Sequence, residues 1–178
     1  EGFTFSGWNT EVPETMPAED IEFTGTTVGN TAKLVFVEST SYAGEVAEVE
    51  VRLETKTPAN IAGIGNITIP AELGEIEGFE FSQAAKDAGL NTGLSNYDEE
   101  TKSIVALFEN AVGFDGILGT LKIKVKDEAV AGDYEVNANT FTVINEYATG
   151  SIPTEITAGK VIVENIVIAK YTVTYKVN

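Results

Sequence analysis

Carboxylates are the only plentiful reactive groups in this chain. Its 178 residues hold 28 Asp and Glu against 11 Lys and Arg, a formal charge of −17, with no histidine and no cysteine. Ser-His-Asp and Cys-His constellations, disulfides and zinc sites built on thiolate or imidazole are therefore excluded, and no side chain titrates by default near neutral pH. Asp98-Glu99-Glu100 invites a calcium reading. A calcium loop needs several oxygens at set spacing and a glycine for the turn, as in D-x-[DN]-x-[DN]-G, and that pattern is absent, so the run reads as a solvated turn. Glycoside cleavage would require two acids facing each other across a cleft at roughly 5–10 Å. The acids here are scattered over strand faces, and the chain reads as non-catalytic.

The same charge excess sets the class of partner. A net −17 repels a phosphate backbone and offers no basic stripe for counterion release, which disfavours nucleic acid and anionic membrane. No window approaches the roughly 20 apolar residues of a membrane helix. The chain starts at Glu1 with no charged-then-apolar leader, and we expect a soluble piece of a longer protein. With 43% hydrophobic residues spread along its length, it has material for one core.

The elements that must position any site show a period of two, the signature of half-buried strands. Ala47, Val49, Val51 and Leu53 alternate with Glu48, Glu50, Arg52 and Glu54. Leu121, Ile123 and Val125 alternate with Lys122, Lys124 and Lys126. Opposite charges facing each other across a strand pair contribute roughly 0.2–1 kcal/mol, so these two strands are expected to be neighbours. Further strands are predicted over 33–37, 61–69, 73–81, 103–109, 134–144 and 160–163, about nine in all, which suggests a sandwich. One short helix is expected after Ser82, which can cap its start, ending at Gly89.

One strand breaks the alternation. In Ser103-Ile-Val-Ala-Leu-Phe-Glu109, Ile104, Ala106 and Phe108 can fill a core, and Val105 and Leu107 must then point outward. The bland reading is a central strand covered on its far side; the functional one is an exposed apolar patch that meets a partner. Ile61-Ala-Gly-Ile-Gly-Asn-Ile-Thr-Ile69 is similar, with apolar residues of both parities and glycines that leave a flat backbone.

The order of these segments resembles a cohesin, the scaffoldin module that receives dockerins in cellulosome-type assemblies. The resemblance spans residues 32 to 165. It is carried by Lys33-Leu-Val-Phe-Val37, Tyr42-Ala-Gly-Glu45, Val49-Glu-Val-Arg-Leu53 and the Ile61–Pro70 segment, then by Lys102–Glu109, Asp115–Lys126, Ala131-Gly-Asp-Tyr134 and Thr157–Val163. It implies an all-β, nine-strand jelly-roll sandwich whose eighth, third, sixth and fifth strands form the face that docks a dockerin. It also places the second and seventh strands side by side, in agreement with the charge pattern. On the docking face it implies contacts from Ile64 and Asn66, Tyr97, Val105, Leu107, Glu109 and Asn110, and Phe141, Val143 and Asn145. Family members often carry an outward acidic residue in the third strand, where this chain has Gly65 or Asn66. No cofactor is implied for the chain itself; the calcium belongs to the dockerin. A secreted or wall-attached bacterial protein serving polysaccharide degradation follows from the family.

The ends read differently. Gly2-Phe-Thr-Phe-Ser-Gly-Trp8 with Met16-Pro-Ala18 resembles the closing half of an internalin-type B repeat, a small β-grasp module, and Tyr171-Thr-Val-Thr-Tyr-Lys-Val177 resembles its opening strand. The expected division is 1–29, 30–166 and 167–178; either Tyr171, Val173 and Tyr175 pack beside Phe3, Phe5 and Trp8 as a partial β-grasp, in one copy or exchanged between chains, or each end is a remnant of a different neighbouring repeat. Two rival functions remain. A carbohydrate-binding module would need exposed flat aromatics, yet the one tryptophan, Trp8, lies outside the sandwich, and Phe36, Phe79, Phe81, Phe108 and Tyr134 fit a core. A structural spacer would have charged outer faces on both sheets, against which Val105 and Leu107 argue.

Overall fold

A computed structural model of the chain describes residues 3–8, 22, 24–29, 31–55, 59–145 and 150–165. The two charge-striped segments form long strands, β5 (Val46–Thr55) and β10 (Asp115–Val125), in the order of elements that starts with β1 (Phe3–Trp8), β2 (Gly25–Gly29), β3 (Ala32–Phe36) and β4 (Ser39–Tyr42). Ala47, Val49, Val51 and Leu53 are buried from β5, and Leu121, Ile123 and Val125 from β10. The strands pair antiparallel with Lys122 directly opposite Glu48, as the charge pattern predicts. No other pair of opposite charges stands directly across this ladder: Lys124 stands opposite Val46 and donates from Nζ to the Gly44 carbonyl, while Glu50 faces Thr120. On its other flank β10 meets β7 (Gly74–Phe81), whose Glu80 lies 3.1 Å from Lys122 Nζ. That hydrogen bond and the paired charge lower the Glu80 carboxyl and raise the Lys122 ammonium. Both side chains are open to solvent, so the contact helps set register and adds little stability.

The remaining strands are β6 (Ala59–Thr68), β8 (Asn96–Asp98), β9 (Ser103–Val112), β11 (Gly132–Asn145), β12 (Ser151–Ile152), β13 (Thr154–Thr157) and β14 (Gly159–Glu164). One sheet is five-stranded, in the order β13-β3-β5-β10-β7; the other is seven-stranded, β4-β14-β11-β6-β9-β8 with β12 beside β11. The chain's first and last long strands each cross between the sheets. β3 and β13 pair in parallel in one sheet, and their continuations β4 and β14 pair in parallel in the other. Counted as two bent strands, they leave the nine-strand jelly-roll sandwich that the resemblance implies, plus β12. Gly159 lies where the bent strands cross, and a Cβ there would run into the Phe36 backbone. Only glycine permits that approach.

Between the sheets lies one core, which includes Phe36, Leu53, Leu73, Ile64, Ile104, Leu118, Leu121 and Ile123. Of the aromatics assigned to it, Phe36 and Phe108 are buried, and Phe79, Phe81 and Tyr134 pack against its margin. The short helix α1 (Gln83–Asp87) starts at Ser82, whose Oγ accepts from Ala85 N at 3.0 Å, and the chain leaves it through Gly89 at φ +94°. Near the N-terminus, β1 and β2 form a separate antiparallel pair on which Phe5 and Trp8, both about half exposed, meet edge-on with centroids 4.9 Å apart. The proposed strand partner Tyr171–Val177 and the Met16-Pro-Ala18 segment lie outside the described residues.

Truncating the shared layer should cost far more than removing the charge lattice outside it. Ile123→Ala should lower unfolding stability by about 2–5 kcal/mol in urea titrations. Glu48→Ala, on the solvated face of the neighbouring strand, should stay within about 1 kcal/mol.

Candidate functional site

The strands that the resemblance assigns to docking, β11, β6, β9 and β8, are consecutive in the seven-stranded sheet. Their inward side chains belong to the core, and their outward ones form the candidate site. Residues directly opposed across a ladder share a face. Asn96 pairs with Val105, Val105 with Gly63, and Gly63 with Thr142, so these four make one row across the sheet. Leu107, Ile61 and Ile144 make the next. Val105 is 39% exposed, and Leu107, Ile61 and Ile144 are half-buried. The strand that is apolar on both faces therefore behaves as its composition predicts. Ile104, Ala106 and Phe108 enter the core, and Val105 and Leu107 stand outside on a patch continued by Ile61 and Ile144.

Several residues expected on this surface face the other way. Ile64, Phe141 and Val143 are buried in the core and cannot meet a partner. Their outward neighbours are Gly63 and Gly65 on β6 and Thr140, Thr142 and Ile144 on β11. The cause is a change of phase. Asn66 has φ +52°, a conformation asparagine tolerates better than most residues, and it lets Ile64 and Ile67, three apart, both point inward. β11 shifts at the same level, burying Ala138 and then Phe141 with Asn139 and Thr140 exposed between them. Tyr97 is also turned inward, because it pairs with Ile104; it packs against the core, and Asn96 and Asp98 take the outward positions. Its hydroxyl is buried without a hydrogen-bond partner, and burial, followed by the charges of Glu99 and Asp98, pushes the phenol up.

Asn66, Glu109 and Asn110 are exposed at the margins of the patch. Asn66 N donates to Ser103 Oγ at 3.2 Å, which ties the phase shift to β9. Glu109 and Asn110 lie in an irregularity where residues 108–111 of β9 stand opposite Asn60 alone. Asn145 ends β11, opposite Ala59.

One arrangement has no signal in the sequence. Beyond β8 the free edge of β9 is closed by the chain from Gly89 to Ser95, and Leu107 is its anchor. Asn91 N donates to the Leu107 carbonyl at 2.8 Å, and Ser95 Oγ accepts from Leu107 N at 3.0 Å and donates to its carbonyl at 3.3 Å. A serine hydroxyl thus replaces a strand partner. Asn91 Oδ1 accepts from the Gly93 and Leu94 amides, and that turn holds Leu94 62% exposed beside the patch.

The acids do not converge. Asp98 Oδ1 accepts from Thr101 N at 2.7 Å and Thr101 Oγ1 at 2.9 Å, and these bonds hold its carboxyl below the usual range. Asp133 and Glu38 share Lys160 at 2.7 and 3.2 Å. Among the described residues no three His, Cys, Asp or Glu side chains gather as metal ligands would. The four strands of the face carry Asp98, Glu109, Asp133 and Glu135 and no lysine or arginine.

Removing the hydroxyl that closes the edge should loosen the patch locally. Ser95→Ala should cost about 1 kcal/mol in chemical denaturation and speed hydrogen exchange at the Leu107 amide, with Ile123 in the core unaffected.

No family model matches the chain, and no curated protein matches its sequence. Solved structures do match its fold. The sixth cohesin of scaffoldin B from Acetivibrio cellulolyticus, in complex with a mutant Cel5 dockerin, superposes with a TM-score of 0.62 at 20% identity, over 75% of this chain and 99% of that one. The third ScaB cohesin of R. flavefaciens, with a group 1 dockerin, gives 0.63 at 18% identity over 76% and 96%. A non-cellulosomal cohesin from the archaeon Archaeoglobus fulgidus gives 0.60 at 12% over 76% and 92%. At such identities the likeness speaks for architecture alone, and on that ground the sandwich of this chain has the cohesin fold.

Proposed function

We propose that this chain is a non-catalytic receptor module that docks dockerin-bearing proteins into an extracellular, secreted or wall-attached scaffoldin complex serving polysaccharide degradation. The observation that carries the reading is the outward apolar patch of Val105, Leu107, Ile61 and Ile144, set on the sheet face formed by β11, β6, β9 and β8. A sheet whose outer face served only solubility would be charged there, as the outer face of β5 and β10 is. Solved cohesins of the same fold with dockerins bound support the choice of partner.

A helical partner covering this face would bury about 800 Å² on each side, a usual size for a specific complex. Anchoring comes from the apolar rows, and the polar margin of Asn66, Asn96, Glu109 and Asn110 sets which dockerin fits. Asp98 and Glu109 lie at the margin with no cation on their strands, and the chain carries a net −17, so the face favours a partner whose own margin is basic, and association should slow as salt screens it. Direct carbohydrate binding is disfavoured, because no aromatic ring lies on the outward rows.

Leu107 points out of the core, so Leu107→Arg should leave the circular-dichroism spectrum unchanged and weaken dockerin binding by at least about 30-fold in calorimetry. A wild-type chain that binds a soluble polysaccharide and no dockerin in calcium would instead establish the carbohydrate reading. Calcium resides on the dockerin in this proposal. EDTA should therefore abolish the complex and leave the melting temperature of the isolated chain where it was; a large fall would reveal a metal site in the sandwich.

A further inference from the structure

We infer that Gly63 is a socket in which the docked partner seats one aliphatic side chain, against bare backbone between Val105, Ile61 and Thr142. The inference rests on the docking reading above and specifies what the centre of that face accepts. A glycine in mid-strand weakens a sheet, because it packs nothing and gives the unfolded chain more freedom. Such a residue needs a reason, and the fold supplies none here. Gly63 is not among the residues of positive φ, so other side chains could adopt its backbone. A Cβ added to it would meet only the Thr142 carbonyl oxygen, at 3.9 Å, an ordinary contact.

Its neighbour two residues on shows the contrast. A Cβ on Gly65 would collide with Thr140 Oγ1, so that glycine makes room for a side chain of its own sheet. The space above Gly63 is left open. Across the row it is flanked by Val105 and Thr142, and along β6 by Ile61 on the same face. No charged residue occurs anywhere in β6, and Val105 and Ile61 offer only hydrocarbon. An aliphatic side chain reaching down from a helix fills such a depression with dispersion contacts and loses no hydrogen bond. A charged one would be stripped of water with nothing to pair with.

The test uses the whole chain and a panel of purified dockerins in calcium, with Gly63→Val, Gly63→Ala and Leu107→Arg titrated calorimetrically against whichever dockerin binds the wild type, and melting followed in parallel. Filling the socket should raise the melting temperature of Gly63→Val by about 2–4 °C, since a β-branched residue replaces glycine where a Cβ makes only an ordinary contact. The same change should weaken binding at least about tenfold, with Gly63→Ala between it and the wild type. If Gly63→Val binds as the wild type does while Leu107→Arg does not bind, the socket is wrong and the docking face stands. A lower melting temperature for Gly63→Val would give the glycine a structural role and also overturn the socket. A wild-type chain that binds none of the dockerins removes both the socket and the docking reading.

Discussion

The two sheets share a single apolar layer, in which Leu53, Leu121 and Ile123 from one meet Ile64, Ile104 and Phe141 from the other. Every strand has only two faces, so each residue this layer claims decides the direction of its neighbours. Because Ile104, Ala106 and Phe108 are taken inward, Val105 and Leu107 are forced out. The candidate docking surface is in this sense a by-product of core packing. It required only that the outward residues of β9, β6 and β11 be apolar or small where those of β5 and β10 are charged.

The legible parts of the sequence were those where the alternation runs unbroken. Glu48 and Lys122 announced their pairing, and β9 announced its two apolar faces, since burial alternates without a break over 46–53, 121–125 and 103–108. β6 and β11 were misread by one residue over part of their length. The isoleucines at 61, 64 and 67 are spaced by three, which a regular strand cannot bury on one side, and the sequence alone does not say where the slip is absorbed. Asn66 absorbs it, placing Ile64 inside with Ile67 and leaving Ile61 on the outer row. Phe141 and Val143 follow, because the ladder carries the shift of β6 into β11. The asparagine was a usable signal, as one of the few residues that adopt positive φ at modest cost. The closure by Ser95 had no such signal, since a hydroxyl bonding a strand from a turn depends on where the turn lies in space.

An apolar patch on a sheet is a hazard as well as a site, particularly near a free edge. Here both hazards are contained locally. β8 is three residues long, and the chain from Gly89 to Ser95 occupies the rest of the β9 edge with bonds from Asn91 and Ser95, leaving no long ladder for another chain to extend. The net charge of −17 keeps copies apart at longer range. The patch is thus open to a partner that approaches its face and closed to one that adds a strand at this side.

Rigidity follows from the topology. β3/β4 and β13/β14 cross between the sheets and pair with each other in both, so the beginning and end of the sandwich lock together. With the two sheets tied in this way, the outer face cannot slide over the core, and the positions of Val105, Leu107 and Gly63 relative to one another are fixed by ladder bonds on both sides of β6. A preformed surface loses little freedom on association, so the ordering cost of a complex falls mainly on the partner. Discrimination must then arise from fixed shape and fixed charge. On this face those are a depression at Gly63, a ridge formed by Val105 and Leu107, and a margin that carries Asp98 and Glu109 and no cation of the same strands.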